Sequence, residues 1–171
     1  MRREEAAVTI EDDEQHPEER RFVKQLAAFG FADRYYTYCA MHRKPGPDIP
    51  TATQKIALEQ TGRTFKYDKR EDFFAWRDAS APKGFQLGLN IAIRYAAVEW
   101  ILVFRTPSGH LGGPFASLAL KVKRLDTPTY RHDPPYPTPD AANKRELAQV
   151  LDEGFRLHDD LAAFLMKKAW K

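Results

Sequence analysis

The sequence predicts a single α+β domain: an antiparallel β-sheet with an N-terminal helix and a long C-terminal helix packed on one face. Two observations predict it. Residues 85–124 hold nearly all the long apolar runs and read as three strands joined by turns. The segments on either side, 17–30 and 143–168, carry apolar residues at helical spacing instead. Strand runs with helices mainly at the chain ends are the pattern of an antiparallel sheet covered from one side. A length of 171 residues suffices to bury a core without metals or disulfides.

Residues 1–16 read as an acidic flexible arm, charge-rich with few apolar anchors, ahead of a domain spanning 17–171. Pro17 suits the first turn of a helix, where its missing N–H costs nothing. Phe22, Val23, Leu26 and Phe29 continue that helix, and Gly30 suits its left-handed end. Asp33 to Arg43 is rich in Tyr and Thr and favours a strand. KPGPDIP (44–50) is a rigid loop. Lys55–Gln60 and Thr64–Asp68 suggest a hairpin around Thr61-Gly62. Asp68 and Glu71 have the spacing of a capping box, which would launch a short helix through Phe73, Phe74 and Trp76.

In the centre, Phe85, Leu87, Leu89, Ile91 and Ile93 alternate with Gln86, Gly88, Asn90, Ala92 and Arg94, the mark of a strand with one wet face. Val98–Phe104 is almost continuously apolar, as in a strand covered on both faces. Ala116, Leu118, Leu120 and Val122 alternate again. The segment 125–140 holds five prolines in sixteen residues, too stiff and donor-poor for helix or strand, and is expected to strap across the surface through Tyr130 and Tyr136. From about Pro139 onward, Leu147, Val150, Leu151, Phe155, Leu161 and Leu165 mark the long helix, capped by Asn143 with Glu146 or by Thr138 ahead of Pro139.

The net charge of +3 conceals an asymmetry: residues 1–19 carry two arginines against eight acids, leaving +9 on the remainder. An acidic arm on a basic body gives a physical reason to consider an anionic partner; the plainer reading is a solubilising tail. The single cysteine, Cys39, excludes an internal disulfide framework and points to a reducing compartment. No apolar run approaches the roughly 18 residues that span a bilayer. The expectation is a cytoplasmic protein without a membrane partner.

No catalytic set, cofactor or metal site is assigned. The five histidines fall in no metal-ligand spacing. Cys39 would pair with His42 only if the strand bent. Glu99 interrupts the most apolar strand and His110 lies on a neighbouring turn, which leaves an enzyme with a pocket around Glu99 and His110 as one alternative. SGHLGGPF (108–115) is glycine-rich, but a phosphate cradle needs a helix next and a strand is expected there, so a hairpin turn is the better reading. Arg63–Arg70, interleaved with Phe65 and Tyr67, and Lys121–Arg124 leave a nucleic-acid-binding domain as a second alternative.

The succession GHLGGPF, then YRHDPPYPTPD, then LAQVLDEGFRLHDDLAAFL, within residues 85–168, resembles small bacterial proteins encoded beside polymorphic or contact-delivered toxins. The resemblance implies an immunity protein, a cytoplasmic non-enzymatic inhibitor that binds one cognate toxin, and carries no functional residues with it. The acidic bias usual among inhibitors of nucleases is missing, which points away from a nuclease partner. From the residues themselves, the expected partner-binding positions are polar or amphipathic side chains on the sheet's wet face and its rim: Gln86, Asn90, Arg94, His110, Tyr130 and Tyr136.

Overall fold

In the computed structural model, which describes residues 16–168, the helical layer begins with three helices in succession. Helix α1 (Pro17–Phe29) has proline in its first turn and ends on Gly30 in the left-handed conformation, as expected. Helix α2 (Phe31–Met41) follows at once, then α3 (Thr51–Glu59) after the proline loop. The arm assigned to 1–16 lies outside the described residues apart from His16, whose Nδ1 accepts a hydrogen bond from the Glu18 N–H.

The first correction concerns 33–43, which is helix as far as Met41 rather than strand. Phe31, Ala32, Tyr35, Tyr38 and Cys39 are the buried positions, a helical stripe that outweighs the strand preference of Tyr and Thr. Residues 55–59 are likewise helical, with Gln60 as the cap: Gln54, Ala57 and Leu58 face inward at helical spacing, so no hairpin forms around Thr61-Gly62.

The sheet is antiparallel, with strands β1 (Lys66–Asp68), β2 (Phe73–Arg77), β3 (Gln86–Arg94), β4 (Ala97–Thr106) and the two-residue β5 (Gly109–His110) in spatial order. A further short strand, β6 (Gly113–Pro114), also pairs with β4. The helix expected from Asp68 is instead the β1–β2 turn. Asp68 Oδ1 accepts the Arg70 and Glu71 N–H groups as a cap would, but Asp72 then turns to φ 55 and breaks any helix. Phe73–Arg77 continues as β2.

The strand expected at 116–124 is helix α4 (Phe115–Asp126). Its alternating residues are buried, but so are Phe115 and Ala119, which only a helix places beside Leu118 and Val122. The sheet's centre is therefore 86–106, shorter than the 85–124 expected. The proline strap leads to α5 (Lys144–Lys168). Of the two possible caps, Asn143 serves: its Oδ1 accepts the Glu146 N–H, while Glu146 Oε2 accepts the Ala142 N–H.

All the large core contacts lie on one side of the sheet. Phe22 of α1 meets Phe104, Phe115 of α4 and Phe155 of α5 meet Trp100, and Trp100 Nε1 donates to the Tyr38 hydroxyl of α2. Tyr38 in turn donates to the Val150 carbonyl. The strap is pinned to this helical layer: Tyr35 Oη donates to the Pro137 carbonyl at 2.7 Å, and Asp140 bridges to Ala97 at the head of β4. With β5, β6 and the strap along one side of β4, the outer edge left to the sheet is the three-residue β1, too short to invite pairing.

Candidate partner-binding face

The side of the sheet away from the helices is built by register. Lys66, Ala75, Asn90, Ile101 and Pro114 form one cross-strand row over five strands. Arg77, Gly88 and Val103 form the next, and Gln86, Arg105 and His110 the one beyond. At the other end stand the pairs Ala92–Glu99 and Arg94–Ala97. Gln86, Asn90, Arg94 and His110 thus share one face. Ile101 and Glu99 are half-exposed there, so β4 is not covered on both faces as its apolar run suggested, although Val103 is buried.

Tyr130 and Tyr136 belong elsewhere. Tyr130 stacks near Tyr36 of α2, and the Arg124 side chain of α4 donates to its carbonyl. Tyr136, exposed, precedes the Pro137 that α2 holds. The strap therefore frames the helical layer, not the open sheet face.

At the far end of β3, Arg94 is half-exposed and reaches across to the β1–β2 turn, donating to the Glu71 carbonyl at 3.0 Å and lying 3.5 Å from Asp72 Oδ2. Beside it the β3–β4 hairpin closes through Tyr95 and Ala96, at φ 50 and φ 66. A two-residue loop with both φ positive matches the strand twist but is normally built from Asn-Gly; each L-residue held left-handed costs about 1–2 kcal/mol. The strain is held in place from outside, because Asp48 accepts the Tyr95 N–H and Ala141 donates to the Ala96 carbonyl. Ala96 is buried, whereas the Tyr95 ring is 85% exposed. Sequence reasoning missed Tyr95. Its only local signal was the short gap between the alternating segment ending at Arg94 and the apolar run beginning at Val98, and Tyr-Ala is not a turn pair.

At the opposite end, Arg105 and His110 are exposed and Arg77 lies across Gly88, its Nη1 donating to Asn90 Oδ1 at 2.9 Å. Partial burial, then repulsion from Arg105 and Arg77, holds His110 below the ordinary imidazole range. Arg77 is lowered by desolvation and by Arg105.

Glu99 and His110 do not form one pocket. Glu99 pairs with Ala92 and His110 with Arg105, six residues further along β4 and about 20 Å away at a strand's rise. The two basic segments are also separated. Arg63 is bonded to Asp159 at 2.6 Å and lies over Phe155, while Lys121 and Lys123 are paired with Glu19 and Asp33. The first segment borders β1 at one edge of the sheet; the second is on α4, which meets β4 and β6 near the other. Phe65 and Tyr67 pack on Phe155 and Phe74.

The segment after SGHLGGPF is a helix, contrary to the expectation of a strand. Its glycines still leave no cradle, since Gly113 and Pro114 pair with Leu102 and Ile101. Among the described residues no group of three or more His, Cys, Asp or Glu is placed to hold a metal ion, and no helix is long and apolar enough to cross a membrane.

Cys39 is buried on α2 with its Sγ toward the Pro137 carbonyl, while His42 Nε2 lies 2.8 Å from Glu153. Burial pushes the thiol up to about 12. Cys39 should react with a disulfide reagent at pH 8 about a thousandfold more slowly than a free thiol. The rate should rise along the urea unfolding curve; prompt reaction of the native protein would contradict this burial.

Comparison with protein-family models, with curated proteins and with solved structures finds no match to this chain. The fold and this face define its class: an α+β domain with a one-sided sheet.

Proposed function

We propose that this chain is a non-enzymatic protein-binding inhibitor, an immunity protein that neutralises a cognate bacterial toxin in the cytoplasm, and that it docks through the open sheet face. The observation that carries the reading is the strained hairpin tip, which sets an exposed tyrosine beside a half-exposed arginine at the end of a rigid strand. Tyr and Arg are preferred interface anchors. An anchor fixed before binding spends less of the contact energy on ordering. Two adjacent left-handed L-residues at a hairpin tip are also the kind of outlier that points to function.

The test is co-expression in a bacterial host with the product of each adjoining gene. One of them should be toxic alone, tolerated when this chain is present, and recovered with it as a complex. If none is toxic, or toxicity persists, the inhibitor reading fails.

With such a partner in hand, Arg94→Ala should weaken binding at least tenfold, with circular dichroism unchanged. Arg94 also ties down the β1–β2 turn, so the hairpin tip gives the sharper test. Replacing Tyr95-Ala96 by Asn-Gly should raise stability by about 1 kcal/mol through relief of the left-handed strain. The same change should cost the partner at least tenfold in affinity. Unchanged affinity would remove the tip from the interface.

A further inference from the structure

The open face is electrically lopsided. Its hairpin end mixes Arg94 with Asp68, Asp72 and Glu99, and Arg94 has Asp72 as a counter-charge. Among the described residues, the rows at its other end carry the Arg77 and Arg105 guanidinium groups and the His110 imidazole, and no acid. Register puts Arg105 between Gln86 and His110, and Arg77 stands one row away across Gly88. Among the described residues, none of Arg77, Arg105 and His110 has a carboxylate within ion-pair distance. The next acid along the chain, Asp78, is turned to the helical side, where it lines a cavity with His158 and Ala162. The two ends of β3 stand about 26 Å apart at a strand's rise, well beyond a Debye length of about 8 Å at physiological salt. The acids at the hairpin end therefore do little to neutralise this corner.

Like charges gathered without counter-ions work against the fold; Arg77 and His110 are both lowered, first by desolvation and then by the neighbouring arginines. Arg77 is also held ready. Three acceptors, the Trp76 and Leu89 carbonyls and Asn90 Oδ1, fix its Nη1 and leave the rest of the guanidinium for another group. Such an arrangement matches an incoming carboxylate, for which a pre-positioned guanidinium is the favoured donor.

We infer that the partner meets this corner with an acidic surface, its carboxylates seated on Arg77, Arg105 and His110. The inference rests on the protein-binding reading and deepens it by giving the partner's sign of charge. A protein fits better than a nucleic acid, because half-exposed Ile101 and Ala75 lie beside the corner and acids occupy the far end, where a phosphate backbone would be repelled. A surface that binds nucleic acid must itself be basic. The partner's contact with this corner is thus not a nuclease's substrate cleft.

The test uses the full chain, isotopically labelled, titrated at low salt with three probes: hexaglutamate, hexalysine and a twelve-residue oligothymidylate. Hexaglutamate should shift the resonances of Arg77, Arg105 and His110 saturably, hexalysine should not, and Arg105→Glu should weaken the response at least fivefold. Arg105 is exposed and its side chain makes no hydrogen bond or ion pair among the described residues, so this variant should fold; Arg77→Gln, checked by circular dichroism, gives an independent second reading. Oligothymidylate binding tighter than hexaglutamate would overturn the inference in favour of nucleic acid. A response that ignores both substitutions, or none to hexaglutamate, would overturn it outright. A cognate partner weakened by Tyr95→Ala but indifferent to Arg105→Glu would leave the protein-binding reading standing and remove the acidic contact alone.

Discussion

Trp100→Ala should cost about 3–5 kcal/mol of stability, the range for removing a large aromatic from a packed core. The indole is 1% exposed and sits where the layers meet, stacked with Phe115 of α4 and edge-on to Phe155 of α5. It also donates to the Tyr38 hydroxyl at 3.2 Å, which ties β4 to α2. Three helices thus lose their common contact at once, and the surrounding side chains belong to different elements that cannot all move inward. Urea denaturation followed by circular dichroism should show a large fall in midpoint at a nearly unchanged slope. A loss below about 1 kcal/mol would mean that the sheet and helices are not joined through this ring.

Gly154→Ala should also destabilise, by about 1–3 kcal/mol, although alanine is the better helix former by about 1 kcal/mol. Gly154 lies within α5, where a Cβ would come 2.0 Å from the Trp100 ring, a separation no real contact tolerates. The glycine is what lets the helix backbone lie against the indole. Combining Gly154→Ala with Trp100→Phe should restore part of the loss, because the smaller ring vacates the contested space; the coupling from a double-mutant cycle should exceed 0.5 kcal/mol. Strictly additive effects, or a Gly154→Ala variant more stable than the parent, would place the helix elsewhere.

Elements were legible in the sequence where only one period could describe them. Helix α1 has proline at its start and Gly30 at its end; β3 alternates over nine residues; α5 repeats its apolar stripe for many turns. The misread segments satisfy two periods at once. Ala116, Leu118, Leu120 and Val122 alternate like a strand, yet Phe115, Leu118, Ala119 and Val122 make an equally good helical face. Over so short a stretch, propensity differences of a few tenths of a kcal/mol per residue cannot decide. The decision is made by what Phe115 packs on, namely Phe31, Tyr35 and Trp100. Asp68 shows the same ambiguity in hydrogen bonds, since two N–H groups accepted by one carboxylate begin a helix or close a turn equally well.

The candidate site divides along the same line. By itself the sequence determined that Gln86, Asn90 and Arg94 lie opposite the Leu87–Ile93 stripe, because a two-residue period separates faces without reference to anything else. It could not determine what covers either face. Only the tertiary structure drew Tyr130 and Tyr136 to the helical side, through contacts such as Tyr35 with Pro137, a hundred residues apart in the chain. Only the tertiary structure gathered Arg77, Arg105 and His110 into one corner and held Tyr95-Ala96 left-handed against its preference. Local patterning carries the cost of a conformation and the side it shows; the long-range contacts that outweigh that cost, and the surfaces they leave open, exist only once the chain has folded.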